Sequence, residues 1–164
     1  MSPNLPTLHL LCGKPASGKS TLTGKLGRQP GTVVLSEDAL LSALYGEQMA
    51  TIADYVRCSA RLEAAIGSHV VSLLREGVSV VLDFQANTLA RRAWMRSLVE
   101  ASGAAHTLHF LDVPDEVCLA RLRARNACGD HPFEVSDEQF AQLSRHFVPP
   151  TPEEGLHIVM HGAE

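Results

Sequence analysis

The run Gly13-Lys14-Pro15-Ala16-Ser17-Gly18-Lys19-Ser20 fits the pattern G-x-x-x-x-G-K-[ST], and the apolar stretch Leu8 to Leu11 leads straight into it. Few local folds accept such a run. Its mechanics require a strand, a tight loop without bulky side chains, and a helix that opens near Lys19. The glycines let backbone N–H groups turn inward, and the helix adds the positive end of its dipole, so the loop is a cradle for phosphate oxygens. Gly13, Lys14, Pro15, Ala16, Ser17, Gly18, Lys19, Ser20 and Thr21 therefore form the candidate nucleotide-binding set. Within it, Lys19 is expected to reach the β- and γ-phosphates, and the Ser20 hydroxyl to ligate Mg²⁺.

The rest of the chain supplies the fold for such a loop. Short apolar or β-branched runs recur at Leu8–Cys12, Thr32–Leu35, Val78–Asp83, Thr107–Val113 and Leu156–Met160. Between them lie stretches of helical character at Lys19–Leu26, Glu37–Tyr45, Ile52–Arg75, Leu89–Ala101, Asp115–Ala127 and Asp137–Phe147. Strands that alternate with helices form a parallel sheet, and continuous apolar runs predict that both of its faces are covered. The expected class is α/β: a three-layer, doubly wound, five-stranded parallel sheet. Ser136 followed by Gln139 fits a capping box, Pro114 suits the first position of a helix, and Gly77 and Gly103 mark helix ends.

With 164 residues, 45% of them hydrophobic, the chain is expected to form a single domain. A net charge of −4 without a block of like charges argues against tight nonspecific binding to nucleic acid. No apolar stretch approaches the length of a membrane span, so the expectation is a cytoplasmic protein with no membrane partner. Cys12, Cys58, Cys118 and Cys128 are widely spaced, without a C-x-x-C pair, and read as buried free thiols. His9, His106, His109 and His157 fall in or beside predicted strands and receive no catalytic role.

Three constellations carry candidate chemistry. Asp38 follows the second predicted strand, at the carboxyl edge of the sheet where open α/β folds bind ligands, and is the candidate general base. Asp83 ends the strand Val78–Leu82 at the same edge, as a Walker B acid does, and is the candidate metal residue beside Ser20. Arg121 and Arg125 share a helical face ahead of the break at Gly129-Asp130, in a lid segment near 121–135. From there they would steady charge on a transferring phosphoryl group while closure excludes water. Asn87, Arg57, Arg61 and Arg91 are weaker candidates for contact with an acceptor.

The segments GKPASGKST, LSEDALLSALYG, VVLDFQANTLARR and FLDVPDEVCLARLRARN together resemble P-loop kinases of the polynucleotide 5′-hydroxyl kinase and zeta-toxin-like group. That resemblance implies a P-loop NTPase fold of the nucleoside monophosphate kinase type, with strand order 2-3-1-4-5. It also implies ATP as donor and transfer of phosphate to a hydroxyl, with Asp38 as base. The polynucleotide kinases commonly have S-R-D where this chain has Ser36-Glu37-Asp38, and a D-x-T-N-like run where it has Asp83-Phe84-Gln85-Ala86-Asn87. The anion in place of a cation shifts the expectation to a small-molecule hydroxyl acceptor. A polynucleotide 5′ end is the rival, as is a nucleotide-binding switch that hydrolyses ATP slowly without an acceptor.

Overall fold

A computed structural model describes residues 5–129 and 135–162. Its strands are β1 (Thr7–Cys12), β2 (Thr32–Ser36), β3 (Ser79–Gln85), β4 (Ala105–Leu111) and β5 (Ile158–His161). Its α-helices are α1 (Lys19–Gly27), α2 (Glu37–Tyr45), α3 (Ile52–Arg75), α4 (Leu89–Ser102), α5 (Asp115–Cys128) and α6 (Asp137–His146). The strands form one parallel sheet in the order β2-β3-β1-β4-β5, as the resemblance implies. The element boundaries expected from sequence hold to within two residues. Pro114 is the cap of α5 rather than its first helical residue, and the Ser136–Gln139 capping box is present.

Alternate residues of β1 point to opposite faces, as the pleat requires. Leu8, Leu10 and Cys12 join the main core with Leu62, Val70 and Leu74 of α3 and Met95 and Leu98 of α4. Leu11 packs on the other face with Val81 and Leu26 of α1. A third cluster, Val113, Cys118, Leu122 and Phe140, joins α5 to α6 beside the phosphate loop's Ala16. Three of the four cysteines are buried, but Cys128, at the end of α5, is exposed.

The strands are not uniformly apolar. On the Leu11 side of the sheet His9, His109 and His161 lie side by side across β1, β4 and β5. His9 Nδ1 stands 3.0 Å from His109 Nε2, and His109 Nδ1 stands 3.0 Å from His161 Nε2. Each neutral imidazole has one donor and one acceptor nitrogen, so a row of them satisfies its own polar groups within the sheet.

Two features shape the carboxyl edge. Against β1 the register of β3 jumps between Leu10↔Leu82 and Leu11↔Gln85, which leaves Asp83 and Phe84 without a partner on that side. The strand therefore continues past Asp83, which sits in a bulge, a device that re-aims side chains beside functional sites. Buried Arg92 fastens the chain ahead of β5 from beneath. Its Nε donates to Glu154 Oε1 at 2.7 Å and its Nη1 to the Ala86 carbonyl at 2.9 Å. Among the described residues, no helix is long and apolar enough to cross a membrane.

Candidate nucleotide and acceptor site

The loop between β1 and α1 is shaped by two left-handed residues. Ala16 has φ 62° and Gly18 has φ 106°; glycine enters such positive-φ conformations freely, whereas the Cβ of Ala16 disfavours its own. A side chain at Gly13 would collide with the Ser17 hydroxyl and crowd Leu111, so the backbone closes tightly there. Lys19 folds back over the loop and donates from Nζ to the Lys14 carbonyl at 2.9 Å and to the Gly13 carbonyl. Burial pulls its pKa down to about 8, against the nearby charge of Asp83. Lys14 itself turns outward to Asp115 at 2.7 Å and lies over the Phe147 ring.

A cleft of about 1640 Å³ opens above the loop. Pro15 through Thr21, Asp38, Asp83, Arg121 and Arg125 all line it, so four separate sequence segments converge there. Gln139, Gln142, Arg145 and His146 of α6, with Met160 and His161 of β5, line it as well, although they belong to no motif that marks a site. Two buried polar atoms at the loop and α5, Ser17 Oγ and Arg125 Nε, have no hydrogen-bond partner among the described residues. Backbone amides, an ammonium, a hydroxyl and a guanidinium around one cradle match the needs of a polyphosphate.

The donor set also fits a hard divalent cation. Asp83 is half-buried, and burial, followed by the charge of Asp38, holds its carboxyl above the usual range. Two carboxylates that repel each other, in a cleft that Ser20 also lines, suit Mg²⁺, which takes few protein ligands and completes its shell with phosphate and water. Among the described residues there is no cluster of three or more His, Cys, Asp or Glu able to hold a metal alone.

The weaker sequence candidates fall elsewhere. Arg57 and Arg61 do not line the cleft; Arg57 is exposed and pairs with Asp54 at 3.1 Å on its own helix. Asn87 is clamped to Gly13 of the loop, and Thr88, next to it, caps α4. Arg91 is drawn into a carboxylate network: its Nη1 meets Glu37 Oε2 at 2.6 Å and its Nε meets Glu63 Oε1 at 2.8 Å. Tyr55 Oη and Ser59 Oγ each donate to Glu37 at 2.9 Å. Glu37 is thus buried and fully engaged where it borders the cleft, beside its more exposed neighbour Asp38, which lines the cleft too. Of the lid, residues 130–134 lie outside the described residues.

The family model of the AAA domain matches residues 8–150, which takes in the phosphate loop, both candidate carboxylates and the α5 arginines. The chain belongs to the AAA domain family. No curated protein matches the sequence. This AAA domain is similar in fold to a candidate kinase of Chloroflexus aurantiacus, with a TM-score of 0.75 at 21% identity, covering 96% of this chain and 85% of that one. A sugar kinase of Janibacter sp. gives 0.67 at 15%, covering 96% and 85%. The APS kinase CysC of Mycobacterium tuberculosis, solved with AMPPNP and APS, gives 0.61 at 19%, covering 96% and 90%. At such identities the likeness is one of fold.

Proposed function

We propose that this AAA domain is an ATP-dependent phosphotransferase that moves the γ-phosphoryl group to a hydroxyl of a small molecule. The observation that carries the reading is the convergence of Asp38, Lys19, Asp83, Arg121 and Arg125 on one cleft from four segments of the chain. A hydrolytic switch needs the loop and a metal site, whereas a carboxylate such as Asp38, facing the cleft from the first turn of α2, suits an acceptor hydroxyl. The fold's likeness to a sugar kinase and an APS kinase agrees with a small acceptor.

In this reading the loop amides and Lys19 hold the β- and γ-phosphates, and Arg121 and Arg125 neutralise charge that builds on the transferring group. The acceptor oxygen forms its bond to the γ-phosphorus as the bond to the β,γ-bridging oxygen breaks. Asp38 takes the hydroxyl proton, and ADP leaves. Ser20 and Asp83 would hold Mg²⁺, which when bound supplies charge neutralisation across the phosphates.

The test is transfer from γ-labelled ATP into sugars, nucleosides, aryl alcohols and 5′-hydroxyl oligonucleotides. Asp38→Asn is expected to lower transfer by about 10²–10⁴-fold with ATP binding retained. Lys19→Ala is expected to weaken binding and transfer together. Release of free phosphate at equal rates in the normal protein and Asp38→Asn, with no labelled acceptor, would replace this reading with the hydrolytic switch.

A further inference from the structure

If Asp38 receives the acceptor's proton, the body of the acceptor must lie against the wall that carries Asp38, formed by α2 and the start of α3. The cleft's two sides differ in charge. From α1, α5 and α6 come Lys19, Lys25, Arg121, Arg125 and Arg145. On the α2–α3 wall, the described lining residues bring no cation: the charged ones are Glu37 and Asp38, and the remainder include Leu41, Met49, Ala50, Ile52 and Tyr55.

Two cations close to this wall in the fold are committed elsewhere, and Arg61 of α3 does not line the cleft. Arg91 is held between Glu37 and Glu63, and Arg57 leans on Asp54 outside the cleft. The Tyr55 hydroxyl donates inward to Glu37, so the residue lines the cleft with its polar tip already engaged. Ile52 is 74% exposed although it lines the cleft, so it offers uncovered apolar surface there. Apolar lining with one placed polar group is the usual make-up of a small-molecule site. A phosphorylated acceptor would instead need a cation here, and it would be repelled by Asp38.

We propose that the acceptor is a neutral or cationic hydroxyl compound with an apolar, preferably aromatic, body that rests on Leu41, Met49, Ile52 and Tyr55, and that it is not a phosphorylated sugar or a polynucleotide. This rests on the phosphotransferase reading and deepens it. The amine of a cationic acceptor would be favoured by the charge of Asp38, and the apolar body gains the free energy of leaving water.

Binding is the readout that separates the two readings. With AMPPNP and Mg²⁺ at saturation, so that the phosphate loop is filled, glycerol, glycerol phosphate, phenylglycerol and phenylserinol differ by one group each. Calorimetric or ligand-observed magnetic-resonance titration is expected to give at least tenfold tighter binding of both phenyl compounds than of glycerol or glycerol phosphate. Ile52→Lys, at an exposed position that leaves the core intact, is expected to erase most of that preference and to improve glycerol phosphate binding several-fold. Equal or tighter binding of glycerol phosphate by the normal protein overturns the proposal, as does failure of the phenyl compounds to bind. Phosphoryl transfer is scored separately. Transfer to a phosphorylated acceptor would keep the kinase and reject this wall as an apolar site, while binding of the phenyl compounds without transfer to any acceptor would do the reverse.

Discussion

Asn87 holds Gly13 from both sides: its Oδ1 accepts from the Gly13 amide at 2.9 Å while its Nδ2 donates to the Gly13 carbonyl at 2.9 Å. One side-chain amide thus satisfies both backbone groups of the loop's first glycine, across a separation of 74 residues. Asn87→Ala leaves a buried N–H without its partner and is expected to destabilise the domain by about 1–3 kcal/mol. Chemical denaturation measures this. Calorimetry with AMPPNP should show affinity reduced by about tenfold, because the loop no longer holds its shape unaided. Unchanged stability and affinity together would mean that the loop keeps its conformation without the clamp.

Lys19 makes nucleotide binding dependent on pH. Its pKa of about 8 means that it loses its charge above that pH, whereas phosphate favours the charged form and draws the pKa up. Binding AMPPNP at about pH 8.5 should therefore take up a proton, seen as a dependence of the calorimetric heat on the buffer's ionisation enthalpy. At about pH 6.5 that dependence should be much smaller. The dissociation constant should rise as pH climbs through 8, and Lys19→Met should abolish the proton uptake.

Glu37 and Arg91 form the most secluded ion pair at the site, with side chains 2% and 13% exposed. Removing Glu37 takes from Arg91 the more buried of its two carboxylates, and Glu37→Ala is expected to cost about 3 kcal/mol, the low end for a broken buried pair because Glu63 still faces Arg91. The double variant Glu37→Ala with Arg91→Met should recover a substantial part of that loss. Urea denaturation of the four proteins gives the coupling, and additive losses would show that the pair is not the source of the cost.

The histidine row sets an acid limit. Burial, then the neighbouring His9 and His161, lowers the His109 pKa from its usual 6.5 to about 4. The unfolded chain binds the proton more readily, so this residue's contribution is intact above about pH 6.5 and fades as pH falls toward about 4. Burial lowers the pKa of His9 as well, which adds in the same direction. Melting temperature should drop between about pH 7.5 and 5, and His109→Phe should flatten that slope. An equally steep slope in the variant would assign the acid sensitivity to the carboxylates.

Much of this architecture was legible in the chain because local signals agreed: the phosphate loop, the run ending at Asp83 and the caps at Ser136 and Gly103 each point to the observed element. The strand order needed the resemblance, since apolar periodicity says which segments are strands but not which lie side by side. Arg57 and Arg61 misled because an i, i+4 pair fixes a helical face without saying where that face looks. The same spacing carries a second signal in α3. Tyr55, Ser59 and Glu63 recur every four residues along α3 and mark the polar stripe that receives Glu37 and Arg91. The jump of register at Asp83 and the imidazole row depend on what neighbouring strands present, and no single segment encodes that.

Arg92 carries a consequence for the limits of the domain. Its guanidinium is wholly enclosed, and its acidic partner, Glu154, comes from the chain just ahead of β5. A protein shortened to end before that glutamate would keep its phosphate loop, both candidate carboxylates and the six described α-helices, yet would leave a positive charge sealed inside without an answer. The stretch that carries Glu154 and β5 is thus an electrical counterweight for the interior as well as an edge of the sheet, and fragments judged by motif content alone would be drawn too short.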